Sequence, residues 1–192
     1  MNTTPEDCDF NPDDLETDDI TENLNKKKRV NSKKKGNRFE LLLTKILEKQ
    51  FGKSFSRSVG SGARWGQVSN MPDHAKQTLT GDICPPEDFL WVIECKSGYE
   101  DKVDFNSVLG DVKGGGCAQL DDFIKQSLHD NEGCGRNPII IWKRTRKPWI
   151  AIVQQTYLGS IQFPYSLKYS DWVIVPLDVL FQETPTSFWF KS

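Results

Sequence analysis

The sequence predicts an α/β fold: one domain whose helices flank a central mixed β-sheet, preceded by an N-terminal tail without fixed structure. Three observations predict it. Two segments with helical spacing of apolar residues alternate with short apolar runs of strand length, in the order helix, three strands, helix, strands. The chain has 192 residues, enough for one domain with a real core. Residues 1–35 are too polar to pack, which places the folded domain at 36–192.

The tail is sharply divided in charge. Residues 1–25 hold nine acids (Glu6, Asp7, Asp9, Asp13, Asp14, Glu16, Asp18, Asp19 and Glu22) and no Lys or Arg. Eight bases follow without an acid between them: Lys26, Lys27, Lys28, Arg29, Lys33, Lys34, Lys35 and Arg38. The net charge of −2 therefore conceals a remainder of +7 once the nine acids are set aside. A basic body suits a polyanionic partner. The acidic stretch is either a solvated tail or an internal competitor for that basic surface.

From Gly36 the pattern changes. "NRFELLLTKILEKQFG" puts Phe39, Leu42, Leu43, Ile46 and Leu47 on one helical face, and Gly52 stops the helix. "SFSRSV" alternates like a short strand, "GSGARWG" is a glycine-rich loop, and residues 63–80 are polar and irregular. "LTGDI" and "FLWVIECK" read as the arms of a β-hairpin turned by "CPPED". Residues 97–116 are loop-like. "CAQLDDFIKQSLHD" is a helix with Leu120, Phe123, Ile124 and Leu128 facing inward. "PIIIWKR" and "WIAIV" are strands joined by "TRKP"; "DWVIV" is a late strand, and "PLDVLF" a short helix opening with Pro176.

Several classes drop out. No apolar run approaches the ~20 residues that span a bilayer, and the acidic N-terminus is unlike a signal peptide. A cytoplasmic protein without membrane contact is expected. The five cysteines are an odd number and lack C-x-x-C spacing, so buried free thiols are expected instead of a zinc site or disulfide framework. His74 and His129 stand alone and carry no assigned role.

The chemistry concentrates at "FLWVIECK". Side chains alternate along a strand, so Glu94 and Lys96 share a face with Val92. A hairpin would bring Asp82 beside them. Glu100 and Lys102 repeat the same spacing, but in a polar segment unsuited to a buried site. Two carboxylates and a lysine meeting at one sheet end suit phosphodiester hydrolysis. A hard cation such as Mg²⁺ takes its ligands from one or two carboxylates, water and phosphate. The ion acidifies a bound water and polarises the phosphate, while a lysine steadies developing charge.

"GDI…FLWVIECK" resembles the motif of the PD-(D/E)xK nuclease superfamily, whose core is a restriction-endonuclease-like α/β fold. "KGNRFE" (35–40) is similar to the opening of archaeal-type Holliday junction resolvases, and "RSVGSGA" (57–63) to their next segment. The helix with Gln119 and the following "PIIIWKRTRKPWIAIV" look like phage-encoded, resolvase-like nucleases, whose setting is a bacterial host. The resemblance covers roughly residues 35–155. It implies Asp82 and Glu94 as metal ligands, Lys96 as the catalytic lysine and Glu40 as a further carboxylate ligand from the first helix. It implies Ser61 as a contact to phosphate or water and Gln119 as support from the second helix. "RWGQVSNMPDHAKQTLT" departs from the archaeal pattern as an insertion or lid. Pro72-Asp73 within it mimics the motif, but glycine-led Asp82 is the better match.

DNA contacts are expected from the basic run (Lys33, Lys34, Lys35, Arg38), from Arg57 and Arg64 around the glycine-rich loop, and from Lys143, Arg144 and Arg146 in the basic turn, which Trp142 and Trp149 flank. The resemblance implies an endodeoxyribonuclease using Mg²⁺ or Mn²⁺ on branched DNA in recombination and repair. A two-fold homodimer would suit it, with "DWVIVPLDVLFQ" or the apolar outer strand as contact. A single-strand, flap or restriction-type nuclease, or a DNA-binding protein without catalysis, are the open alternatives, because this fold hosts them all.

Overall fold

The structure, a computed structural model, describes residues 32–58, 79–99, 102–103, 108 and 116–191, with 32–35 as backbone only. Helix α1 (Ser32–Phe51) begins four residues before Gly36, where the sequence pattern placed the start of the domain. Polarity at Lys33, Lys34 and Lys35 argues against burial but not against helix, since lysine propagates a helix well. Phe39, Leu43 and Leu47 are buried, with Leu42 and Ile46 packed partly behind them.

Five strands form the central sheet: β3 (Trp91–Ser97), β4 (Asn137–Lys143), β5 (Ile150–Gln154), β6 (Leu167–Tyr169) and β7 (Trp172–Pro176), in the order β3-β4-β5-β7-β6. β3 and β4 are parallel and the other pairs antiparallel, so the sheet is mixed, as expected. A parallel pair needs a long crossover, and helix α2 (Ala118–Asp130) lies within it. Alternation divides the core. Ile93, Ile139, Ile141, Ala151, Val153, Val173 and Val175 pack on the α1 side. Ile140, Trp142, Ile152, Trp172 and Ile174 pack on the α2 side, against Leu120 and Phe123.

Tyr169 pins α2 at its start. Its hydroxyl accepts the Cys117 N–H at 2.7 Å and donates to Asp121 Oδ1 at 2.8 Å. Gly116 allows this approach, because a Cβ there would lie 2.8 Å from that hydroxyl. Ser127 is buried on α2, whereas Leu128, expected to face inward, is 41% exposed. Leu128 falls at the margin of the stripe drawn by Leu120, Phe123 and Ile124, and the helix rolls it outward.

The expected hairpin forms only at one point. β1 (Ser56–Arg57) and β2 (Ile83–Cys84) make their own antiparallel pair, and Asp82 donates its N–H to Ile93 O at 2.9 Å. Pro85 and Pro86 follow β2 and have no N–H with which to continue a ladder. The chain entering β3 finds a partner elsewhere. Leu90 N–H donates to Trp189 O and Lys191 N–H to Asp88 O, both at 2.8 Å.

That partner belongs to a C-terminal region the periodicity did not resolve: α3 (Gln155–Leu158), β6, and α5 (Thr186–Trp189) after α4 (Leu177–Glu183). Pro176 closes β7 and caps α4 instead of opening it. Leu177, Leu180, Phe188, Trp189 and Phe190 are all buried. Of the apolar residues of "DWVIVPLDVLFQ", Trp172, Val173, Ile174, Val175, Leu177 and Leu180 are buried in the chain's own core, while Val179 and Phe181 are half-buried. Among the described residues, no helix is long and apolar enough to cross a membrane.

Trp189 meets Phe51, Phe89, Trp91, Phe181 and Phe188 and donates its indole N–H to Thr184 at 2.8 Å. Trp189→Ala should therefore cost about 3–5 kcal/mol in urea unfolding. A loss below about 1 kcal/mol would show that the C-terminal segment is not part of the cooperative core.

Candidate active site

Glu94 and Lys96 project from the same face of β3, as strand alternation requires, and both are buried. The Lys96 ammonium donates to Glu94 Oε1 at 2.7 Å. Gln126 on α2 joins them with both ends of its amide. Its Oε1 accepts from Lys96 at 2.6 Å, and its Nε2 donates to Glu94 Oε1 at 2.9 Å.

Asp82 reaches the same place through Gly81. Gly81 has φ +83°, and a Cβ there would come within 2.8 Å of Ile93 O and Val92 Cγ1. Only glycine lets the chain lie this close to β3. Asp82 then clips β3 on both sides of Glu94, donating its N–H to Ile93 O and accepting the Cys95 N–H on Oδ2 at 2.7 Å.

Glu40 arrives from α1, buried, and its carboxylate accepts from Arg57 Nε at 2.5 Å. Arg57, expected at DNA, thus has its charge committed to the carboxylate expected at the metal. The electrostatics place all these groups together. Burial pushes the Cys95 thiol well above its usual range; Asp82, Glu94 and Glu40 push it further, and Lys96 opposes them. Glu94 is raised from 4.5 to about 7, first by burial and then by the charge of Asp82, with Lys96 again opposing.

The described residues hold no group of three His, Cys, Asp or Glu side chains placed to hold a metal ion. The three-carboxylate set of Glu40, Asp82 and Glu94 is accordingly not assembled as a cage. The oxygen donors of Asp82 and Glu94 still fit a hard divalent ion, which typically takes one or two carboxylates and draws its remaining ligands from water and phosphate. A cation there would relieve the repulsion that now raises Glu94.

The other expected residues lie as follows. Gln119 is half-buried in the first turn of α2, seven positions before Gln126, the glutamine that spans Glu94 and Lys96. No motif marked Gln126, which stands off the apolar stripe of its helix. Ser61, Arg64, Pro72-Asp73 and the expected lid up to Thr78 lie outside the described residues, as do the acidic tail and the side chains of Lys33, Lys34 and Lys35. Arg38 is exposed on α1. Lys143 lies over the Trp149 ring and Arg144 over Trp142, while Arg146 is exposed at the turn. Arg136, unmarked by sequence, is buried and directs its guanidinium at the carbonyls of Pro86 and Glu87.

Glu94 makes stability depend on pH in the metal-free protein. The folded chain keeps this proton up to about pH 7, whereas an ordinary glutamate releases it near 4.5. The folded state binds more protons across that window, so its stability falls as pH rises through it, by on the order of 3 kcal/mol when complete. Glu94→Gln should remove that component, so the stability gap between variant and wild type should widen from pH 4.5 to 7 in urea titrations with chelator. A gap independent of pH would show that Glu94 ionises normally.

No curated protein and no solved structure matches the chain. A family model does, that of the family described as "Phage putative PDDEXK endonuclease", over residues 31–176. The match runs from the residue before α1 to the end of β7 and takes in Glu40, Asp82, Glu94, Lys96 and Gln126. With the carboxylates and lysine of that motif gathered at one buried point, the chain belongs to this family of phage PDDEXK endonucleases.

Proposed function

We propose that this protein is a divalent-metal-dependent endonuclease that hydrolyses DNA phosphodiesters in branched substrates such as Holliday junctions, acting as a homodimer. The observation that carries the reading is the meeting of Asp82, Glu94 and Lys96 at one buried site, tied together by the Cys95 N–H and by Gln126. Asp82 and Glu94 would hold Mg²⁺, or Mn²⁺ in its place. Such an ion supplies an acidified water and a polarised phosphate.

The chain's own residues do the rest. An ammonium has three donors, and Lys96 uses two of them on Glu94 and Gln126. The third remains for the attacking water or a phosphate oxygen, so Lys96 would steady charge developing on the phosphate. Glu40 and Arg57 would sit outside the ligand pair, each holding the other's side chain in place.

The preference for branched DNA is supported by the likeness of Lys35-Gly36 and Glu40 to the opening of junction resolvases, and by the basic charge of the chain beyond residue 25. A four-way junction is cut on two equivalent strands, which a two-fold dimer matches with the same site twice.

The test is cleavage of a synthetic four-way junction beside linear duplex and flap DNA, each with Mg²⁺ and with EDTA. Preferential cutting of the junction, abolished by EDTA, is expected; equal cutting of all three would remove the junction assignment. Lys96→Ala should lower cleavage by at least about a hundredfold, with junction binding changed less than about threefold. Cleavage by this variant at the wild-type rate would remove Lys96 from the mechanism.

A further inference from the structure

The turn between β4 and β5 carries four cations within five residues: Lys143, Arg144, Arg146 and Lys147. Parallel pairing decides where it sits. Lys96 stands opposite Trp142 and Ser97 opposite Lys143. The pairing continues past the strands, with Gly98 N–H donating to Lys143 O at 3.0 Å and Trp142 Nε1 donating to Gly98 O at 2.7 Å. The turn therefore leaves the sheet one residue beyond the level of Lys96, on the strand next to it, about 4.8 Å away.

The two tryptophans decide what the turn can bind. Trp142 is 2% and Trp149 9% exposed, so neither offers a ring on which a base could stack. They serve instead as platforms. Lys143 lies 4.9 Å from the Trp149 ring centre and Arg144 5.0 Å from that of Trp142, which holds these cations at the sheet end. The buried Nε of Arg144 has no hydrogen-bond partner among the described residues.

Arg146 and Lys147 are exposed at the tip. Arg146 adopts φ 54°, a region that Gly or Asn would enter at lower cost. The arginine there is thus not explained by backbone conformation. Besides Asp82 and Glu94 of the site itself, Asp178 comes to the same end, because Leu177 N–H donates to Trp149 O at 2.9 Å.

We infer that this turn binds the DNA sugar–phosphate backbone next to the phosphate presented to Lys96, reading charge and not base sequence. Arg146 and Lys147 make the phosphate contacts, and the Trp-backed Lys143 and Arg144 set the positive field behind them. The choice of DNA as the polyanion rests on the nuclease reading; the binding site itself does not require cleavage.

The test measures binding without metal. Fluorescence anisotropy of a duplex and of a four-way junction, in EDTA from 50 to 200 mM salt, gives the slope of log affinity against log salt. Each phosphate contact contributes about 0.9 to that slope on B-DNA. Arg146→Ala/Lys147→Ala should reduce the slope by about 1.8 and the affinity on the order of 50-fold near 0.1 M salt. Duplexes of unrelated sequence should respond alike, and circular dichroism should show the fold intact. Lys168→Ala/Lys191→Ala, the same charge change at other exposed positions, should leave the slope within about 0.5 of wild type.

An unchanged slope in the turn variant, or an equal fall in both double variants, would overturn the assignment. A wild-type protein that never cleaves but binds through the turn would sink the nuclease reading and leave this one standing. Cleavage with a turn-independent slope would do the reverse.

Discussion

The carboxylate of Asp82 accepts the N–H of Cys95, and the site depends on that bond. Burying Asp82, Glu94 and Lys96 together is expensive unless each finds a partner, because desolvation penalises every uncompensated charge. Lys96 answers Glu94, Gln126 bridges the two, and Asp82 takes a backbone donor from between them. The balance still leaves negative charge in excess, visible in Glu94 and Cys95, both pushed up by burial and then by Asp82. A group of carboxylates kept in that condition is short of a cation. Stability alone would favour replacing it with apolar residues of similar volume.

The surrounding structure keeps this arrangement in place. Glycine at 81 lets Asp82 approach the β3 backbone. Tyr169 fixes the start of α2 and so the level at which Gln126 meets β3. The C-terminal aromatic cluster closes the beginning of β3, where Trp91 donates its indole N–H to Phe188 O at 2.6 Å and Leu90 pairs with Trp189. The family match ends at residue 176, so this closing segment lies beyond it. The chain's C-terminal segment thus holds the strand on which Glu94 and Lys96 stand.

How much of this was legible follows from the range of each interaction. Alternation in "FLWVIECK" put Glu94 and Lys96 on one face, and the glycine before Asp82 favoured that aspartate over Asp73. Both signals lie within a few residues of the site. Gln126 was not legible, since its contact depends on how α2 rolls over the sheet, and the same roll turned Leu128 outward. The hairpin was misjudged because apolar alternation says nothing about donors; Pro85 and Pro86 supplied none, and a segment a hundred residues away took the place. The Glu40–Arg57 pair was equally hidden, two charges 17 positions apart that sequence assigned to different tasks.

Along β3 and β4 the division of labour follows strand direction. Both strands begin in apolar packing, at Trp91 and Ile139, and both end in charge, at Lys96 and Lys143. Had they run antiparallel, these ends would lie on opposite sides of the sheet. Because they are parallel, the Glu94–Lys96 pair and the basic turn emerge at one edge, as ligand sites in α/β sheets commonly gather at the carboxyl ends of parallel strands. The β3–α2–β4 crossover does two jobs at once. It makes the parallel pairing possible, and it brings Gln126 across the face from which Glu94 and Lys96 project. A single topological choice thus sets both where DNA phosphate would meet positive charge and what holds the residues proposed to hydrolyse it.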